Sequence, residues 1–208
     1  MNEGAAEFAA KFSVSRETLD RLRIYADLLV KWNRRINLVA PKSIPDLWQR
    51  HFMDSAQIHA FKPEEAKTWV DLGSGGGFPG IIVAVLESAT DNPTPVTLIE
   101  SDQRKSTFLR TVIRETSVNA KVLTHRIDEV PPQKADVLTA RALAPLDQLL
   151  GFASFHMAPG GLAIFPKGAN AGSEVELARK TWSFKCESLP SMTDKSAAIL
   201  KISEITRV

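Results

Sequence analysis

Cysteine is almost missing from this chain: Cys186 is the only one in 208 residues. That excludes a disulfide within the chain and any metal site built from several cysteines, and no metal is expected. It fits a reducing, cytoplasmic compartment. Long apolar runs are missing as well. No stretch approaches the roughly 20 residues that a membrane-spanning helix needs, and the first residues lack a signal-peptide pattern. No membrane contact is expected. An excess of charge of one sign is also lacking, since 26 Lys and Arg face 24 Asp and Glu for a net charge of +2. Taken whole, that balance implies no polyanionic partner. There are no internal repeats and no low-complexity segments, and the length suits one domain with a full hydrophobic core.

The distribution of charge says more than its sum. Between Lys31 and His51 stand five basic residues (Lys31, Arg34, Arg35, Lys42, Arg50) against one acid, Asp46. Between Arg104 and Arg126 stand six (Arg104, Lys105, Arg110, Arg114, Lys121, Arg126) against Glu115. Such patches on a nearly neutral protein fit contact with nucleic-acid phosphates. Solvated helix faces account for either cluster alone equally well.

The most informative stretch is Asp71-Leu72-Gly73-Ser74-Gly75-Gly76-Gly77-Phe78-Pro79-Gly80. Apolar residues on both sides make it a strand, a glycine loop and a helix. Glycines let the backbone approach a ligand that a Cβ would hold off. A helix start with Pro79 in its first turn would aim free N–H groups at the same spot. Gly75 to Gly80 matches G-x-G-x-x-G, and Glu100 ends the next strand, as in a nicotinamide-binding unit. Three details favour S-adenosylmethionine (SAM) instead. Asp71 closes the strand where it would meet an ammonium group and repel a diphosphate. The loop is glycine-dense from Gly73 through Gly77. The chain has little room for the substrate domain of a dehydrogenase.

Hydrophobic periodicity orders the rest. Ser15 to Ile36 reads as an amphipathic helix with Leu19, Leu22, Ala26, Leu29 and Ile36 on one stripe, capped by Ser13 or Ser15. Ser43 to Asp46 carries helix-start chemistry, a second helix fits 47–61, and Pro63 ends this part. Strands then fit 68–72, 95–100, 120–124, 135–139 and 161–166, alternating with helices at 79–88, 103–117, 145–156 and 173–181. Alternation predicts a parallel sheet with helices on both faces and a ligand at the carboxyl ends of the strands. The tail departs from it, with strands expected at 182–189 and 197–205. The expected α/β architecture is therefore a mostly parallel sheet with an antiparallel C-terminal pair, a Rossmann-like arrangement resembling the class I SAM-dependent methyltransferase fold. It divides into a helical N-terminal extension (1–66) and a core (67–208), one unit together.

Several motifs in order resemble one family. They are Trp32-Asn33-Arg34-Arg35-Ile36-Asn37-Leu38, Arg50-His51-Phe52-Met53-Asp54-Ser55, the Asp71–Gly80 loop, and Leu98-Ile99-Glu100-Ser101 followed by Arg104-Lys105 and Phe108-Leu109. Arg141-Ala142 and Lys167-Gly168 follow. From about Leu19 to Lys201 the chain resembles the GidB/RsmG family, bacterial methyltransferases that modify a guanine N7 in small-subunit (16S) ribosomal RNA. The resemblance implies SAM as cofactor, with 16S rRNA, free or in an assembling subunit, as partner, and a monomer is expected. It implies a pocket formed by Asp71, Gly73, Gly75, Gly77, Phe78, Glu100, Ile127, Asp128 and Arg141. Asp128 stands where the family usually has Glu, and Arg104-Lys105 replaces a common Lys-Lys.

Each role has a chemical basis. Glu100 can accept both ribose hydroxyls, and Ile127 with Asp128 the adenine edge. Arg141 can reach the methionine carboxylate or the incoming base. Guanine N7 carries a free lone pair, so no general base is needed, and positioning dominates. The strand ending at Thr139 continues Ala140-Arg141-Ala142, not the Asp/Asn-Pro-Pro-aromatic pattern of exocyclic-amine methylation. Cys186 lies far from the loop in sequence, which speaks against nucleophilic carbon methylation; a small, buried or half-buried residue is expected there. His51 and Asp54, three apart on one helix face, are candidates to orient the base or to form a structural pair. Asn33 and Asn37 are expected to face the pocket. Trp32, Trp48 and Phe52 are candidates for stacking on a flipped base. Arg34, Arg35, Lys42, Arg50, Arg104, Lys105 and Lys167 are the expected RNA contacts. Two rival readings stay open at this point: a small NAD-dependent oxidoreductase, and a non-catalytic SAM-sensing RNA-binding module.

Overall fold

A strand buried on both faces takes an inner place in a sheet, and all four residues of Trp69–Leu72 (β1), Asp71 among them, are buried. The computed structural model describes residues 3–208. The other strands are Val96–Ile99 (β2), Ala120–Leu123 (β3), Ala135–Ala140 (β4), Met157–Lys167 (β5), Trp182–Pro190 (β6) and Ala198–Arg207 (β7). Their order is β3-β2-β1-β4-β5-β7-β6. The first five run parallel, and β7 inserts antiparallel between β5 and β6. The order reverses between β1 and β4, where neighbouring connections leave to opposite faces and open a crevice.

Two apolar clusters cover the sheet. One joins Glu3–Phe12 (α1), Arg16–Asn33 (α2), Gly80–Glu87 (α4) and Gln103–Thr116 (α5); the other joins Leu146–His156 (α6) and Ala171–Ala178 (α7). The sequence of α4, Gly-Ile-Ile-Val-Ala-Val-Leu-Glu, is apolar all round as far as Leu86, so it requires cover on both sides. The N-terminal helices supply it, and every residue of α4 is buried.

The core elements lie within a few residues of their expected places, with β5 starting earlier than 161 and α7 spanning 171–178 in place of 173–181. The N-terminal part differs more. The short α1 is not among the expected elements; it buries Ala5 and Phe8, and Phe8 meets Trp48 edge-on at 5.7 Å. Ser15 is the cap of α2, its Oγ accepting from the Thr18 N–H at 3.1 Å. That helix stops at Asn33, short of Ile36. The Asn33 side chain accepts from the Leu38 and Val39 N–H groups at 2.8 and 3.0 Å and donates to the Val39 carbonyl, a local alternative to further helix. The expected second helix is one continuous coil of mixed pitch: a π segment at Trp48–Met53, an α turn at Asp54–Ala56 (α3) and a 3-10 segment at Gln57–Phe61. Among the described residues no helix is long and apolar enough to cross a membrane.

Candidate active site

The crevice at the β1–β4 reversal is a cleft of about 830 Å3. Its floor is the glycine loop. Gly73 and Gly75 have φ of +61° and +55°, left-handed backbone that favours glycine, and a Cβ on Gly73 would lie 2.5 Å from Leu143 Cδ1. Glu100 is only 7% exposed and borders this floor. Its Oε2 accepts from the Gly75 N–H and its Oε1 from the Asp102 N–H, each at 2.8 Å. Both bonds hold the carboxylate still, and each oxygen keeps further acceptor capacity. On the far side stand Ile127 and Asp128, with Phe152 from α6. The Ile127 carbonyl lies 3.0 Å from Nε2 of the buried His156, and Asp128, exposed, pairs with Arg126 at 3.2 Å.

Arg141 joins the cleft to the N-terminal part. Its Nη1 donates to Asp54 Oδ2 at 3.1 Å and to the Arg50 carbonyl at 3.4 Å, and its Nη2 donates to His51 Nδ1 at 3.0 Å. Arginine has no acceptor, so His51 Nδ1 must carry the lone pair and Nε2 the proton. That proton points at Ser43 Oγ, 2.8 Å away, which itself donates to the Ala40 carbonyl. Burial, followed by the charges of Arg141 and Arg50, lowers the His51 pKa to about 4. The imidazole is thus neutral with both nitrogens engaged. Phe78 backs the cluster: the His51 ring stacks on it at 5.1 Å, and the Arg141 guanidinium lies 4.9 Å from its centroid. Asp54 Oδ1 in turn accepts from Gln57 and from Thr193 in the β6–β7 loop, both at 3.0 Å. His51 and Asp54 do not bond to each other; each bonds to Arg141.

Several expected positions lie elsewhere. Asp71 is fully buried and does not border the cleft. Its Oδ1 accepts from Thr139 Oγ1 at 2.8 Å and its Oδ2 from the Gly80 N–H at 3.3 Å. The first N–H of α4 therefore meets Asp71, not a ligand, and Pro79 is the residue before the helix, following a cis peptide bond. Burial pushes the Asp71 pKa up to about 6 against hydrogen bonds from Ser74, Thr139 and Gly80 and the charge of Arg141. Gly77 (φ +96°) also lies off the cleft, wedged against Ile81 and Tyr25. Asn33 staples the chain after α2, Asn37 is exposed, and neither borders the cleft. Trp48 and Phe52 are core, 4.6 Å apart and 5% and 0% exposed, so they cannot stack on a base. Cys186 is half-buried on β6.

Of the expected RNA contacts, Arg50 and Lys105 border the cleft. Arg34, Arg35 and Arg104 share a separate groove, and Lys42 is exposed in the 3-10 turn Pro41–Ser43. Lys167 is engaged inside the protein. Its Nζ donates to the Ala144 carbonyl at 3.0 Å and to Glu174 Oε2 at 2.7 Å, and that same oxygen accepts from the Leu146 N–H. It holds the segment after Arg141 in place and leaves little ammonium free for phosphate.

Tyr25, fully buried, escaped the sequence reading; its hydroxyl donates to the Gly76 carbonyl and so props the glycine loop from below. The signal was present, since Tyr25 lies on the Leu22–Ala26–Leu29 stripe. Thr139 was also missed, because its partner Asp71 is distant in sequence, and Ser43 and Glu174 were missed although His51 and Lys167 stand only eight and seven residues away.

The lining fits a nucleoside bearing an amino-acid tail. It offers a fixed carboxylate for a ribose diol, apolar Ile99, Ile127 and Phe152 for a base, an arginine for a carboxylate, and bare backbone at Gly73 and Gly75. The chain is similar in fold to a SAM-dependent methyltransferase from Aquifex aeolicus, with 12% identity, TM-score 0.57, and coverage of 85% of this chain and 96% of that one. It is likewise similar to the N-methyltransferase NodS of Bradyrhizobium japonicum in complex with S-adenosylhomocysteine, with 10% identity, TM-score 0.54, and coverage of 84% and 96%. In sequence it is 52% identical over 198 residues to the ribosomal RNA small subunit methyltransferase G of a Ruegeria species, covering 95% of this chain and 96% of that one. It is 50% identical over 204 residues to the protein of the same description from Paramagnetospirillum magneticum, covering 98% and 97%. The family model described as rRNA small subunit methyltransferase G matches residues 18–202. The nicotinamide reading left open by the glycine spacing is therefore dropped, and this chain belongs to the GidB family of small-subunit rRNA methyltransferases.

Proposed function

We propose that this protein transfers the methyl group of SAM to N7 of an unstacked guanine in 16S ribosomal RNA. The observation that carries this reading is the Arg141–His51–Asp54 cluster on the wall of the cofactor-sized cleft. The His51 imidazole in it is neutral, with both nitrogens already engaged. Such a cluster orients an acceptor and its imidazole takes no proton from one, which matches an acceptor nitrogen whose lone pair is already available. When bound, SAM supplies a methyl group already activated on a sulfonium.

The chain's own residues bind, orient and exclude water. Glu100 accepts the ribose hydroxyls while its backbone bonds keep it from turning. Ile127 and Asp128 take the adenine edge, and Gly73 and Gly75 let the tail approach the backbone. Arg141, held from three sides, is the contact for the tail carboxylate or the incoming base. His51 and Asp54 act through it as positioning residues, and Phe78 lies against the His51 ring and the Arg141 guanidinium. A second cleft of about 790 Å3 shares Asp54, Arg141 and Leu143 with the first and leads on past Gly168; it is the entry for the acceptor base. The 1–66 extension belongs to the same folding unit as the core, since its described helices cover α4. The protein acts in the cytoplasm as a monomer, on free 16S RNA or on an assembling subunit.

Nucleoside mass spectrometry of 16S RNA from cells with and without the gene tests the reading. One 7-methylguanosine should vanish with the gene and return with the intact copy but not with Glu100→Ala. An unchanged profile would reject the ribosomal substrate. Binding of SAM and RNA without transfer in vitro would leave the SAM-sensing module.

A further inference from the structure

The two basic runs of the sequence, separated by about seventy residues, meet in one groove. Lys31 comes from the last turn of α2, Arg34 and Arg35 from the turn that follows it, and Arg104 from the first turn of α5; together with Trp32 and Ile36 they enclose about 620 Å3. Trp32 is half-buried, resting on Phe108 with ring centroids 5.7 Å apart while also bordering the groove. The charges are not explained by helix stability alone. Cations near the C-terminus of α2 do offset its dipole, but Arg104 stands at the N-terminus of α5, where the dipole disfavours a cation. Among the described residues its only acidic partner is Asp102, at 3.2 Å. The groove also abuts the active-site cleft twice. Ile36 borders the groove and Leu38 the cleft; Arg104 borders the groove and its neighbour Lys105 the cleft.

An indole set among three arginines, beside a cleft that receives a nucleotide, has the chemistry of a single-strand nucleic-acid subsite: cations for the backbone and a ring for a base. We infer that this groove binds the RNA strand flanking the target guanine, with Arg34, Arg35 and Arg104 on its phosphates and Trp32 under one unstacked base. The inference rests on the proposed RNA substrate and extends it. The strand leaves the cleft along Lys105 and Leu38 and enters the groove, so the protein recognises an unpaired segment of several nucleotides and not the target guanine alone.

The test uses the full chain with whichever substrate the parent protein methylates, naked 16S transcript or small subunits from cells lacking the gene. If neither is methylated, the proposed function itself fails. With an active parent, Arg34→Gln combined with Arg35→Gln should raise KM for RNA about ten-fold or more. It should also flatten the log–log salt dependence by about 0.7 for each single-strand phosphate that is no longer neutralised. Trp32→Leu should raise KM about five-fold or more, as removal of one stacked base does, with the salt slope unaltered. SAM affinity, read by calorimetry, should stay at the parent value in both. Because Trp32 also rests on Phe108, Trp32→Phe serves as the conservative control and should recover most of the affinity. KM and slope within two-fold of the parent in both variants would overturn the groove while leaving the function standing. A raised KM with an unaltered slope in the arginine pair would overturn it too, by assigning the groove to a protein surface.

Discussion

Replacing Glu100 by glutamine separates its two jobs. In the parent, one carboxylate oxygen accepts from Gly75 and the other from Asp102, both at 2.8 Å, and the group is almost wholly buried. The amide keeps one acceptor and turns the other into a donor. Whichever way it rotates, its NH2 faces a backbone N–H that is left without its partner. A buried donor left unpaired costs about 1–3 kcal/mol of folding stability. The same change removes at least one charge-assisted bond to a ribose hydroxyl. Hydrogen bonds to charged groups contribute about 1.5–3 kcal/mol, which corresponds to a drop of about 10- to 150-fold in SAM affinity. Calorimetric titration with SAM measures the second quantity, and urea unfolding of the cofactor-free protein the first. A variant that is less stable but binds SAM within two-fold of the parent would refute the ribose role and leave Glu100 as a loop anchor. A variant unchanged in both would refute the geometry as well.

Tyr25→Phe removes the hydroxyl that props Gly76 and should cost about 1–3 kcal/mol in urea unfolding, together with a measurable drop in SAM affinity; equal stability would mean the loop holds itself. His51 should titrate near pH 4 by NMR, not near 6.5. Between those values the unfolded chain binds more protons at this site than the folded one, so the His51 contribution to stability falls as pH drops below 6.5 and is lost by about 4. Asp71, raised to about 6 from 3.8, acts in the opposite sense between those two values, so the His51 resonance itself is the readout, and a midpoint near 6.5 would refute the burial of His51 beside Arg141. Lys167→Met should lower the melting temperature, because Ala144 and Glu174 are deprived of a half-buried partner, while the salt slope of RNA binding stays as in the parent. A slope flatter by about 0.7 would return Lys167 to the phosphates.

Local sequence determined much of this protein. The mostly apolar octamer Gly80–Glu87 marks a helix covered on both sides, and the alternation from Ile199 to Ile205 marks a strand. The order of these elements dictates a parallel sheet with its crevice after β1, and glycines at 73 and 75 mark where the backbone must turn left-handed. Order along the chain also brought Glu100, Ile127 and Arg141 to one end of the sheet. Tertiary structure alone decided which polar groups face the crevice and which face each other. Asp71 and Glu100 both end strands, yet one closes a buried helix start and the other borders the cleft. The difference lies in the side-chain alternation of neighbouring strands and in Thr139 across the sheet. His51 and Asp54 are near neighbours in sequence, but Arg141, some ninety residues on, is what joins them. Lys167 reads as a surface cation until Glu174 and the Ala144 carbonyl are seen beside it. Hydrogen bonds and ion pairs act over about 3 Å in space, whatever the separation in sequence, so their partners became visible only once the chain was folded.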